Sequence, residues 1–198
     1  EALNFVRPKS FKKIYQGENH NFIKRNIEFI EKSNISYIST PNNYGHFLEE
    51  TIPSIGIFID SLKSNKIPNI YFSSLKKFHK QMLLIFFPKI QYSELSLDIN
   101  YKFTSSNFIP SLPSIHTIRW LDNFTTKFHK KINVNKKVLC GRRDRVKNFD
   151  EIKKYLLKNN YIFLDAFSDI EVIKETLSDA EVVVFTSGAE QANICFVN

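Results

Sequence analysis

A chain of 198 residues with 42% hydrophobic and 14% aromatic side chains is globular, with enough apolar material for one large domain or two small ones. Its formal charge of +8, from 28 basic against 20 acidic residues, is spread along the chain as Lys-Lys pairs; it suits a polyanion, an anionic membrane surface or a phosphorylated ligand alike. The densest apolar run, MLLIFFP, is too short to span a bilayer, no signal-peptide pattern opens the chain, and Cys140 and Cys195 form neither a disulfide framework nor a zinc pattern, so a reducing compartment fits.

In chain order, ISYIST at 35–40 reads as a strand, and HFLEETIPSIGIFIDSLKSN as a helix bent or restarted at Pro53, where the backbone loses an N–H. NIYFSS and LKKFHKQMLLIFF repeat the pair. The region from about 90 to 114 is less periodic, and NYKFTSSNFIPSLPS resembles an extended strand followed by a proline-punctuated crossing. IHTIRWLDNFTTKFHKKI is amphipathic and helical and leads into the polar NVNKK. Then follow strand KVLC, loop GRRDRVKN, helix FDEIKKYLLKNN, strand YIFLDAF, helix DIEVIKETLSDA, strand VVVFTS and helix AEQANICFV. Strands separated by helices in this way imply right-handed crossovers and parallel sheets, with the segment near 115–135 as the hinge between two α/β lobes. The chain starts at Glu1 and stops at NICFVN without a polar tail, so it reads as a segment of a longer protein.

Ligands of such sheets gather at the carboxyl ends of strands. Three stretches stand directly after expected strands: PNNYGH, GRRDRVKN and SGAEQAN. Three of only five glycines, Gly45, Gly141 and Gly188, fall beside them, and half of only six arginines crowd into positions 142, 143 and 145. Arg142 and Arg145 offer planar forks for phosphate oxygens; the plainer alternative is a solvated basic loop with Asp144 paired to an arginine. Gly188 opens a helix whose free N–H groups attract phosphate, or a simple strand-to-helix turn with Ser187 as N-cap. His46 and Glu50, four apart, share a helical face and can either handle a substrate proton or form an ordinary ion pair. HExxH, G-x-S-x-G, P-loop and G-x-G-x-x-G patterns are all absent, and no metal is expected.

The three stretches in this order resemble glycosyltransferase family 61, whose bacterial members are of the capsular polysaccharide biosynthesis type. NYGHFLEETIPSI is similar to the family's first motif through Tyr44, His46, Phe47, Glu50 and Pro53. CGRRDRVKNFDEI resembles the second through Arg142, Arg145, Asn148 and Glu151, and VVFTSGAEQANICF the third through Gly188, Ala189, Asn193 and Phe196. The acid of the first motif is glutamate here, and Ser187 stands where the family usually has histidine.

The resemblance implies a GT-B-like α/β fold of two Rossmann-like lobes with mainly parallel sheets. An acceptor lobe would span 1–118, a connecting helix and linker 119–135, and an incomplete nucleotide-sugar lobe 136–198. It implies sugar transfer, with inversion, from a nucleotide sugar to a hydroxyl of a glycan or glycolipid in surface or capsular polysaccharide synthesis. Glu50 and His46 would be catalytic, and Arg142, Arg145, Asn148, Ser187, Gly188, Ala189 and Asn193 would bind the donor. No cofactor is expected beyond the nucleotide sugar itself, and the setting would be cytoplasmic, with peripheral contact at the inner face of an anionic membrane. Two other classes fit the composition. A catalytically silent scaffold of the same fold is one, since Ser187 departs from the family pattern. A nucleic-acid module is the other, although the aromatics lie mainly in apolar stretches and no nucleic-acid partner is expected.

Overall fold

The computed structural model describes residues 27–30, 35–62, 69–95, 100–103, 106–109, 114–128 and 135–197, and every strand pairing among them is parallel. Strand β1 (Ile27–Ile30) pairs with β5 (Asn100–Phe103). Strands β2 (Ile35–Ile38), β3 (Ile70–Phe72), β4 (Tyr92–Glu94) and β6 (Ser106–Phe108) form a sheet in the order β4-β3-β2-β6. A third sheet, apart from the β1-β5 pair and the four-stranded sheet, runs β8-β7-β9, from β7 (Lys136–Gly141), β8 (Tyr161–Asp165) and β9 (Ala180–Phe185). This is the parallel α/β class expected from the alternation, consistent with the Rossmann-like form that the resemblance implies, and the pairing is parallel because the chain between paired strands passes through a helix. The expected stretch up to residue 26 and the linker at 129–134 lie outside the described residues.

The central strands show why these segments pair where they do. All three residues of β3 are buried, as are Val138, Leu139, Cys140 and Gly141 of β7, so neither strand alternates. A strand covered on both faces needs a continuous apolar run, and IYF and VLCG supply it. The covering helices are amphipathic: α3 (Lys77–Phe86) buries Met82, Leu83 and Phe86, and α6 (Ile170–Ser178) buries Ile170, Ile173 and Leu177. Helix α5 (Phe149–Lys158) follows β7.

The long expected helix after residue 46 is built in three pieces. Helix α1 (Tyr44–His46) passes into a π-helical turn (Phe47–Thr51), and α2 (Ile52–Ser61) restarts with Pro53 in its first turn. Proline cannot give an N–H to the carbonyl of residue 49, and the widened turn instead bonds the Ile52 N–H to the Phe47 carbonyl. At the end of the chain the expected α-helix is a 3-10 helix (Ala189–Phe196), entered from a positive-φ glycine.

Helix α4 (Ile115–Thr125) is capped reciprocally, Ser114 Oγ accepting from the Thr117 N–H at 3.1 Å and Thr117 Oγ1 from the Ser114 N–H at 2.9 Å. It lays Trp120 across α2, where the indole N–H donates to Asp60 at 2.7 Å and the ring stacks on Phe124 at 5.0 Å. The indole fits only because residue 56 has no side chain: a Cβ there would stand 2.0 Å from the ring. Gly56→Ala gains helix propensity but must push the indole off both partners, so net destabilisation of at least about 1 kcal/mol is expected in thermal or urea unfolding.

Candidate functional site

The first motif is held from above and below. Asn43 caps it, its Oδ1 accepting from the His46 N–H at 3.2 Å. Across the following π-helical turn, His46 Nδ1 and Glu50 Oε1 lie 2.5 Å apart; the imidazole is 59% exposed and the carboxylate only 16%. Underneath, His79 is fully buried against the rings of Phe47 and Phe78. Its Nδ1 accepts from the Lys76 N–H at 2.9 Å, which leaves Nε2–H to donate to the Pro41 carbonyl at 3.1 Å. The neutral imidazole thereby pins the loop that enters the motif. Burial lowers its pKa to about 4.

The second and third motifs meet at the carboxyl ends of β7 and β9. Gly141 lets Thr186 come so close that a Cβ would lie 2.4 Å from the threonine methyl, and the Arg142 N–H donates to Thr186 Oγ1 at 3.2 Å. The Thr186 hydroxyl donates in turn to Glu190 at 2.5 Å, and the other Glu190 oxygen lies 3.5 Å from Arg142 Nε. Gly188 has φ +142°, and a Cβ on it would stand 2.7 Å from the Glu190 carboxylate and 3.3 Å from Arg142 Nη2. An L side chain is excluded there twice, by conformation and by space. Among the described residues, Nε and Nη2 of Arg142 are buried without a hydrogen-bond partner, although the carboxylates of Glu190 and Asp144 stand at ion-pair distance, 3.5 and 3.7 Å from Nε.

A third set of contacts joins the first motif to the last. Tyr44 donates its hydroxyl to Asn193 Oδ1, and Gly45 packs on Ala189, whose Cα would be 3.5 Å from a Cβ at position 45. Asn193 is fully buried; its Nδ2 lies beside the Cys140 thiol and has no other partner. Burial raises the Tyr44 phenol and the Cys195 thiol far above their ordinary values. It also pushes the Cys140 thiol up to about 12, with the charges of Glu190 and Asp165 adding to the effect, so neither thiol is a nucleophile at neutral pH.

The structure therefore brings Arg142 to Gly188, and Ala189 and Asn193 to the helix that carries His46 and Glu50. Arg145 is half-exposed and lies 3.8 Å from Asp144, a carboxylate it shares with Arg142, whose Nε is 3.7 Å from the other oxygen. Asn148 is exposed at the start of α5 and makes no side-chain cap. Ser187 is exposed, and the cap position it was expected to fill belongs to Gly188, because only glycine takes the required φ. Three residues escaped the sequence reading: Thr186, His79 and Glu190. For Glu190 a signal existed, an acid two positions past the key glycine in a chain where arginines are the expected ligands; for His79 there was none.

Among the described residues no three His, Cys, Asp or Glu side chains gather as a metal-ligating group, and no helix is long and apolar enough to cross a membrane. Two surface depressions lie elsewhere: one beside Lys153 and Leu157, which touches the second motif only at Asp150, and the other beside Phe128 and Lys174; neither is lined by His46, Glu50, Arg142, Gly188 or Asn193.

Compared with known proteins, the chain matches the family model described as Glycosyltransferase 61 over residues 44–198, a span that begins at Tyr44 of the first motif and holds the other two. No curated protein and no solved structure matches it.

The buried imidazole gives a pH test of the loop beneath the first motif. His79 stays neutral in the fold to about pH 4, whereas in the unfolded chain it gains a proton near 6.5. Its contribution is therefore complete above pH 6.5 and is lost as pH falls toward 4, on the order of 3 kcal/mol in all. In urea unfolding across that window, His79→Gln should show a flatter dependence of stability on pH than the wild type.

Proposed function

The chain belongs to glycosyltransferase family 61, and on that premise we propose that it moves a sugar, with inversion, from a nucleotide-sugar donor to a hydroxyl of a glycan or glycolipid acceptor. The observation that supports this most is the pair of buried Arg142 donors, ion-paired but without a hydrogen-bond partner among the described residues, beside the positive-φ Gly188. A diphosphate oxygen seated there would meet the guanidinium fork and the free N–H groups at the start of the 3-10 helix, so that charge developing on the leaving group is stabilised in place. Asn193 and Ala189 shape the floor of that site, and Arg145, Asn148 and Ser187 form its outer rim.

In this reading Glu50 is the base. His46 occupies one carboxylate oxygen and leaves the other for the acceptor hydroxyl. As the acceptor oxygen attacks the anomeric carbon, its proton passes to Glu50, and the bond from that carbon to the diphosphate oxygen breaks with its electron pair going to the phosphate. His46 orients the carboxylate toward the acceptor. The strands before α4 form the acceptor lobe and those after it the donor lobe of a GT-B arrangement, with 119–135 connecting them. The role is in surface or capsular polysaccharide synthesis. The net positive charge suits peripheral contact with the inner face of an anionic membrane, where a glycolipid acceptor is presented.

One observation favours a second reading, a catalytically silent subunit of the same fold. The Glu190 carboxylate already stands against Arg142 and could serve as its permanent counter-ion. Thermal unfolding with UDP-, GDP-, CMP- and dTDP-sugars separates the two, since a donor-binding protein rises in stability with ligand concentration and a silent one does not. For the donor that binds, Arg142→Ala should weaken affinity by roughly ten- to a hundredfold by calorimetric titration, with Arg142→Lys only partly restoring it. Arg145→Ala should cost less, because that side chain is half-exposed and shares Asp144. Glu50→Gln should lower kcat by about a hundredfold or more while donor affinity stays constant.

A further inference from the structure

Phe167 is 75% exposed, yet it is not on a loose loop. The turn after β8 is tied down on both sides of the ring. The Ala166 N–H donates to the Gly141 carbonyl at 3.3 Å, the Phe167 N–H to Asp165 Oδ1 at 2.8 Å, and the Ser168 N–H to the Asp165 carbonyl at 3.0 Å. Asp169 then receives Lys77 Nζ at 2.7 Å and Gln81 Nε2 at 2.9 Å from α3, fastening the same turn to the other sheet's helix layer. A large apolar ring is thus held in water by a built turn, at the carboxyl edge of the sheet that carries Arg142. The Arg142 guanidinium lies 5.1 Å from the ring centroid, a cation–π contact, while its own Nε and Nη2 are without hydrogen-bond partners.

We propose that Phe167 is the stacking platform for the nucleobase of the donor, set beside the arginine that takes the diphosphate. This rests on the donor-site reading above and adds the part of the ligand that the phosphate contacts leave unplaced. In a nucleoside diphosphate the base stands one ribose away from the phosphates, so a phosphate ligand and an aromatic face side by side match the two ends of one molecule. The ring stands on the sheet of Arg142, whereas the acceptor is assigned to Glu50 and His46 on the other, which favours a base over an acceptor sugar as its partner. Stacking on an aromatic face tolerates every base, so Phe167 confers affinity for a nucleotide and leaves the choice among bases to other contacts.

Calorimetric titration with UDP, GDP, CDP and dTDP, and in parallel with inorganic pyrophosphate, tests this on the full chain. For whichever nucleoside diphosphate binds the wild type, Phe167→Ala should weaken affinity by roughly five- to a hundredfold, while pyrophosphate affinity stays within about twofold and Phe167→Trp retains nucleotide binding. Because the ring is exposed, the variants should melt at the wild-type temperature. Unchanged nucleotide affinity in Phe167→Ala overturns the platform and leaves the diphosphate site standing. An equal loss for nucleotide and pyrophosphate also overturns it, since the ring then acts only by holding Arg142. A wild type that binds none of the four nucleotides removes the donor-site reading and the platform together.

Discussion

The arrangement of the site depends on a single close approach, that of Tyr44 and Gly45 to the 3-10 helix at Ala189–Phe196. Gly45 brings one backbone against Ala189, and the Tyr44 hydroxyl finds its acceptor on fully buried Asn193. Both partners are costly to bury alone, a phenol and an amide whose desolvation this hydrogen bond offsets in part. This contact joins the helix bearing His46 and Glu50 to the helix that begins at Gly188. Without it, the first and third motifs would be two unrelated loops.

Around that contact the apolar packing runs continuously from one sheet's helices to the other's. Phe196, at the end of the 3-10 helix, sits 6.2 Å from both Phe86 of α3 and Phe128 beyond α4, and those two rings are 5.9 Å apart. Aromatic clusters of this kind combine large buried area with preferred ring geometry, so they fix orientation as well as contact. Phe87 and Phe124 extend the same cluster.

Charge is handled differently on the two sides of the contact. On one side His46 faces solvent and covers a Glu50 carboxylate that is itself only 16% exposed. On the other, Arg142 and Glu190 are nearly sealed, and the Thr186 hydroxyl and the Arg142 N–H to Thr186 complete a small network. A buried carboxylate against a buried guanidinium is weak evidence for stability but strong evidence that the arginine's position matters. Glu190 holds the guanidinium near Gly188 at ion-pair distance without making a hydrogen bond to it.

The family, the parallel α/β class and most elements were legible in the sequence, because local signals carry them: the apolar runs of β3 and β7, the amphipathic spacing of α3 and α6, and three motifs in order. Short strands such as β1 and β4 escaped, since three or four residues give no reliable period. The π-helical turn and the 3-10 form of the last helix escaped as well, because both depend on which carbonyl is in reach. Only the tertiary structure decided that Arg142, and not Arg145, stands beside Gly188, that Glu190 is buried against it, that Tyr44 meets Asn193, and that Phe167 is held in solvent over the guanidinium. Each of those facts is a distance between residues far apart along the chain or on neighbouring turns. Side-chain type sets what such a contact is worth, whereas strand order, helix entry angles and the close approaches that Gly45, Gly141 and Gly188 permit determine whether it forms.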